Sequence, residues 1–310
     1  MFTNGIIIFN QMIVMFFLVA AGYFFYKKEI IDNPTAEKLS LLLSTYIIPA
    51  TILVSFQRPF EIIFAQELLI LFITSLGLFA LSILLARKVY PPQKYTNYAD
   101  RQMCIIFPNN GFLAFPLLEG MFGSLGVFLG SAHLVAMTVV LWTYGVMLME
   151  GPEKKISLKK IIFNPGVLAF ICGALIFVSP VKLPNNFYLA LEHISRLMTP
   201  LAMFVLGSFM AQIKVKSVFY AFSVWQATFF RLVFIPVLTM LLLYFIPLNF
   251  TAKIVLLVAV AAPSAVVNPM FAKIYHTDYL FSTRVVILST LLSLITLPLL
   301  ITVFTYISSL

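Results

Sequence analysis

Two prolines, each followed by short polar residues, interrupt apolar stretches of this sequence. One stretch reads Phe107-Pro108-Asn109-Asn110-Gly111, and the other reads Ala262-Pro263-Ser264 and then Asn268-Pro269. Proline has no backbone N–H and displaces the carbonyl of the preceding turn, while glycine tolerates dihedrals closed to other residues, so Pro108 with Gly111 and Pro263 with Asn268 mark expected helix breaks. A helix that restarts after such a break aims unpaired N–H groups and partial positive charge at it, an arrangement suited to a carboxylate. Asn109, Asn110 and Ser264 bring polar side chains to the breaks, and Ser264 is placed to cap the second half-helix. The chemistry these residues suggest is non-covalent capture of a small organic anion.

The elements that must position them are membrane helices. Of 310 residues, 62% are hydrophobic and 10% are charged, against roughly 45–50% and 25% in soluble domains. Apolar stretches of close to the ~20 residues that cross a bilayer recur along the chain. They predict ten spans near 6–26, 37–56, 66–86, 101–119, 124–149, 161–179, 187–211, 218–246, 253–274 and 279–306. The head before the first stretch has no Lys or Arg and Lys27-Lys28 follow it, a charge order opposite to that of a cleaved signal peptide, so a retained span is expected. The net charge of +9 is scattered over short loops, which argues for membrane orientation and against nucleic acid.

Odd-numbered connections hold fourteen Lys and Arg (Lys27, Lys28, Lys38, Arg87, Lys88, Lys94, Arg101, Lys154, Lys155, Lys159, Lys160, Lys214, Lys216, Lys273), and even-numbered ones hold three (Arg58, Lys182, Lys253). That bias places the odd connections in the cytoplasm and both termini outside, in the plasma or inner membrane of the cell. The charged segment 150–160 divides the chain into halves 1–149 and 161–310. Pro49 in the second span answers Pro200 in the seventh, and Pro108 answers Pro263. Five spans per half force opposite orientations. The expected fold is therefore an all-α integral membrane protein of two inverted five-helix repeats with broken, crossing spans 4 and 9, an arrangement typical of secondary transporters.

Intramembrane ionisable groups are few. His133 in span 5 and Glu67 at the edge of span 3 are candidates for proton coupling, with a hydrogen-bonded neutral histidine and an interfacial carboxylate as the alternatives. Arg231 in span 8 and Arg196 in span 7 either neutralise an anion or snorkel to headgroups, and Arg196 is also placed to pair with Glu192 one turn before it. The only aspartates, Asp32, Asp100 and Asp278, lie at loops, and neither His-Glu-x-x-His nor Gly-x-Ser-x-Gly occurs, so an intramembrane enzyme is not expected. Cys104 and Cys172 have no metal-ligand spacing, and no metal or cofactor is expected. Either H⁺ or Na⁺ remains open as coupling ion, since carbonyls at unwound segments bind Na⁺ in some carriers. A ligand sensor or channel on the same fold is the competing reading, separated from a carrier by saturable flux and counterflow.

Phe107-Pro108-Asn109-Asn110-Gly111 followed by Pro116-Leu117-Leu118 and Met121-Phe122-Gly123 resembles span 4 of the auxin efflux carrier family, which holds plant PIN proteins and bacterial permeases within the bile/arsenite/riboflavin transporter superfamily. Ala261-Ala262-Pro263, Pro269, Phe271-Ala272-Lys273, Tyr275 and Leu297-Pro298 resemble that family's closing segment, and Pro49 and Trp142 also fit. The resemblance implies a scaffold of spans 1, 2, 6 and 7, a transport domain of spans 3–5 and 8–10, elevator-like movement and a homodimer. It also implies that Asn109 helps hold a substrate carboxylate, with mono- and dicarboxylates such as malate or malonate as the class. Thr138 stands where the plant branch has a substrate-facing Gln four residues before the tryptophan, so Thr138 joins Asn109, Asn110 and Ser264 as expected substrate contacts.

Overall fold

The structure, a computed structural model, describes residues 3–151, 158–179, 181–212, 218–219 and 221–308. Lys154 and Lys155 of the central linker, and Lys214 and Lys216, lie outside the described residues. In chain order the helices are α1 (Thr3–Lys27), α2 (Asn33–Ser55), α3 (Ile62–Val89), α4 (Tyr98–Ile106), α5 (110–122), α6 (Ser124–Glu150), α7 (Leu158–Ile162), α8 (Pro165–Val178), α9 (Asn185–Ala211), α10 (Phe222–Phe245), α11 (Phe250–Ala261), α12 (Val267–Ile274) and α13 (Tyr279–Ile307). Helices satisfy their own backbone groups, which is what a segment rich in Leu, Ile and Phe requires in lipid. Among the described residues the only departure toward β-structure is a single isolated bridge between Pro108 and Ser264.

Among the described residues seven helices are long and apolar enough to cross a membrane: α1, α2, α3, α6, α9, α10 and α13. The three other expected spans fall on shorter helices. Residues 161–179 correspond to α8, while 101–119 and 253–274 are each split in two, as the prolines require. Side-chain caps start several helices where the sequence offers Asp or Asn: Asp32 accepts from Thr35 N–H at 2.8 Å, Asn249 from Ala252 N–H at 2.7 Å, and Asp278 from Phe281 N–H at 2.9 Å. Hydrogen bonds from Thr35 hold the Asp32 carboxyl below its ordinary range.

Among the described residues wider π-type turns occur at Leu43–Ile47, Asn110–Ala114, Leu141–Gly145 and Phe230–Phe234, the second of them opening α5. Three of them run directly into Pro49, Pro116 and Pro236. A proline leaves the carbonyl one turn back without a donor, and widening that turn re-registers the ladder around the gap.

α1 packs along α9, α2 against α8 and the first part of α9, α3 against α6, and α10 against α13. Gly22 and Gly207 bring α1 and α9 together at backbone distance, since a Cβ on either would land on main-chain atoms of the other helix. Small residues serve this purpose where lipid removes the hydrophobic drive between helices. Phe56 on the α2 side packs on Phe128 of α6 at 4.7 Å and on Phe170 of α8 at 5.4 Å.

Candidate functional site

The two breaks cross and satisfy each other. Residues before prolines are pushed out of the helical region, and Phe107 (φ −99°, ψ 114°) and Ala262 (φ −56°, ψ 149°) are extended accordingly. Asn109 N–H then donates to the Pro263 carbonyl at 2.7 Å, and Ala265 N–H to the Phe107 carbonyl at 3.0 Å. These bonds form a minimal antiparallel ribbon about Pro108 and Ser264, buried on all sides. Gly111 lets α5 approach α2, because a Cβ there would touch Ile48 beside Pro49 at 3.0 Å.

Three buried asparagines surround this ribbon, each with one polar atom unpaired among the described residues. Asn109 Oδ1 accepts from Phe112 N–H at 3.3 Å and so caps α5, leaving Nδ2 free. Asn110 Nδ2 donates to Met137 Sδ at 3.3 Å, leaving Oδ1 free. Asn268 Nδ2 donates to Ser264 Oγ at 2.9 Å, again leaving Oδ1 free. An unsatisfied buried group costs roughly 1–3 kcal/mol, which a ligand or water at the crossing would recover.

The expectation that Ser264 caps the second half-helix is corrected. α12 begins after Val266 without a side-chain cap, because the chain turns at Ala265-Val266 and leaves Ser264 too far upstream. Ser264 instead anchors the ribbon: its N–H donates to Ser289 Oγ of α13 at 3.1 Å, and its Oγ accepts from Asn268. Capping falls to Asn109 on the other half-helix.

Thr138 is buried next to Met137 but donates to its own helix, at the Leu134 carbonyl, 2.9 Å away. His133 pairs through Nδ1 with Ser75 Oγ of α3 at 2.9 Å and stacks on Phe79 at 5.1 Å. Glu67, in the second turn of α3, is buried at 4% exposure. Arg196 forms the expected pair with Glu192 at 3.1 Å.

Arg231 is the residue whose role the sequence left open, and it neither snorkels nor faces outward. Only 1% exposed, it donates through Nη1 to the carbonyls of Ile105 (2.9 Å) and Ile106 (3.2 Å) and through Nη2 to that of Val260. Those carbonyls end α4 and α11, so one guanidinium closes the negative ends of both first half-helices. The signal was its depth, about halfway along α10, from which an interface is out of reach.

A crevice of about 370 Å³ leads toward the crossing between α2 and α9 on one side and α12 and α13 on the other. Val266 and Pro269 form part of its wall beside the second break, and Ser40 and Thr283 add hydroxyls. Lys273 Nζ lies 3.8 Å from Glu37 Oε1 at its rim and 4.9 Å from the centre of the Tyr279 ring.

A family model described as membrane transport protein matches residues 7–301. Over 201 residues the chain is 27% identical to an uncharacterized transporter of Methanothermobacter thermautotrophicus, covering 62% of this chain and 63% of that one. Over 200 residues it is 28% identical to an uncharacterized transporter of Methanocaldococcus jannaschii, with the same shares. The chain thus spans 63% of the length of each of these relatives. A multi-pass set of apolar helices and a family match over nearly its whole length lead to one conclusion: the chain belongs to the membrane transport proteins of the auxin efflux carrier family.

Proposed function

We propose that the protein is a secondary carrier of a small organic anion, a carboxylate, bound where α5 and α12 begin at the crossing. The observation that carries this reading is three buried polar atoms without a partner among the described residues, Asn109 Nδ2, Asn110 Oδ1 and Asn268 Oδ1, on residues at or next to two half-helix N-termini. Asn109 Nδ2 donates to the carboxylate, and the free carbonyl oxygens accept from hydroxyl or amide groups elsewhere on the substrate. Thr138 and Ser264 complete the pocket wall in this reading. Entry of His133 into proton coupling would require its Ser75 partner to rearrange during the cycle, and Glu67 is the other candidate.

The architecture in this reading is ten spans in two inverted halves, 1–149 and 161–310, joined by a cytoplasmic linker over 150–160, with both termini outside. The neighbour pairs support it, because they come in couples that an inverted repeat exchanges. Under that exchange α1 with α9 maps onto α8 with α2, and α3 with α6 maps onto α10 with α13. Spans 3–5 and 8–10 then slide as a transport domain against spans 1, 2, 6 and 7 in a homodimer. The crevice with Glu37 and Lys273 at its rim is the path on the basic, cytoplasmic side in this reading.

The test is a thermal-shift screen of mono- and dicarboxylates on purified protein, paired with Asn109→Ala. A ligand at ~100 times its dissociation constant adds roughly 2.7 kcal/mol of stability. A carboxylate shift abolished in the variant, with counterflow of the same acid in proteoliposomes, establishes the carrier. Binding without counterflow would make the protein a sensor, and no response to any acid would remove the anion.

A further inference from the structure

The breaks at Pro108 and Pro263 release carbonyls at two places, and the two sets have different fates. Those of Phe107 and Pro263 are taken up by the ribbon itself. Those of Ile105, Ile106 and Val260, at the C-terminal ends of α4 and α11, converge on one point. Carbonyls of unwound segments at helix C-terminal ends are the groups that bind a coupling sodium ion in carriers with discontinuous helices. Here the point is filled by a side chain of a third helix.

Arg231 reaches it from α10, where the π-type turn Phe230–Phe234 ahead of Pro236 carries the arginine. Its guanidinium is planar, permanently charged and rich in donors, and it engages both half-helices at once. Among the described residues no group of three His, Cys, Asp or Glu side chains offers an alternative cation cage. Arg231 and His133, whose Nε and Nε2 are unpaired among the described residues, line one small cavity with Pro108 of the ribbon.

We propose that Arg231 is the resident cation of the crossing: its guanidinium holds permanently the place that a coupling sodium ion would take between the ends of α4 and α11, and the protein neither binds nor requires sodium there. Arg231 is a positioning residue in this account, because it acts on the substrate by fixing the half-helices. The inference deepens the carrier reading, which supplies the reason a cation site matters, but it can fail independently because its readout needs no substrate.

The experiment is thermal unfolding of the purified protein in sodium chloride and in N-methyl-D-glucamine chloride of equal ionic strength. The wild type is expected to melt at the same temperature in both, and a higher melting temperature in sodium overturns the proposal. Arg231→Ala, which uncovers the three carbonyls, is expected to melt lower than wild type and to recover part of the loss in sodium. A purely structural cap would give the loss without the recovery, and that result also overturns it. Should Arg231→Ala fail to fold, Arg231→Lys carries the second arm. Its ammonium keeps the charge with fewer simultaneous carbonyl bonds, so a modest loss insensitive to sodium is expected, and a sodium-dependent gain in that variant counts against the assignment.

Discussion

Asn109 meets Pro263 through its backbone, N–H to carbonyl at 2.7 Å, while its own side chain turns back to cap α5 at Phe112 N–H. One residue therefore closes the crossing and starts the half-helix, and only its Nδ2 is left over. The ribbon depends on the main chain and the cap on Oδ1, so the ligand-facing group can be changed without touching either.

That separation gives the first prediction. Asn109→Asp keeps an acceptor for Phe112 N–H but replaces the free amide with negative charge, so the fold should survive while carboxylate affinity falls at least about tenfold, or ~1.4 kcal/mol. Asn109→Ala should lose the cap as well, at a cost of roughly 0.5–2 kcal/mol. Melting curves with and without the acid separate the two effects. An Asp variant that binds as wild type does would remove Asn109 Nδ2 from the site.

The Glu37–Lys273 pair at the rim of the crevice is half exposed or more on both sides, so its contribution to stability should be below about 1 kcal/mol. Its effect should appear in flux. Lys273→Glu is expected to slow anion uptake by putting two carboxylates at the mouth, and Glu37→Lys with Lys273→Glu is expected to restore part of the rate. Initial rates in proteoliposomes at low and high salt measure this, since screening should shrink the single variant's defect. Equal rates for all forms would mean that substrate passes elsewhere.

Gly207→Ala tests the packing of α1 on α9. The added Cβ would fall on the Val19 carbonyl and the Tyr23 N–H, main-chain atoms that cannot swing aside. Overpacking of this kind costs roughly 1–3 kcal/mol, and the helices must separate along their length to relieve it. A lower melting temperature is expected. Gly77→Ala on α3, where a Cβ meets nothing within 4 Å, is the matched control and should leave it unchanged.

The breaks were legible in the sequence because Pro108, Gly111 and Pro263 act on their own backbone, and the likeness of the two proline-polar patterns suggested that they meet. The long apolar helices were legible for the same local reason, with α4 and α5, and α11 and α12, each reading as one apolar span divided at its proline. What escaped was set by partners distant in sequence. The sequence places Arg231 in a span but cannot show that Ile105 and Val260 end beside it, 126 and 29 residues away. Ser264 has the right residue type for a cap, and only the turn at Ala265-Val266 disqualifies it. Lys273 reads as an ordinary loop charge until Glu37 of α2 faces it across the crevice.

Sliding of one helix set against the other makes a prediction at Glu119 and Thr199. Glu119 on α5 accepts a hydrogen bond from the Thr199 hydroxyl on α9 at 3.3 Å, a contact between the proposed moving and static parts. Movement of about a helical turn or more, as in such ratchets, would break it on every cycle. Glu119→Cys with Thr199→Cys, in a background with the exposed Cys172 changed to Ser and the buried Cys104 left alone, can be joined by a short bifunctional thiol reagent. Joined protein should stop counterflow yet keep its ligand-induced thermal shift, because the crossing itself is untouched. Each single cysteine treated with the same reagent should keep transporting. If the joined protein still exchanges the acid at the wild-type rate, the two helix sets do not slide at this contact, and the substrate must cross by a local gate within a fixed frame.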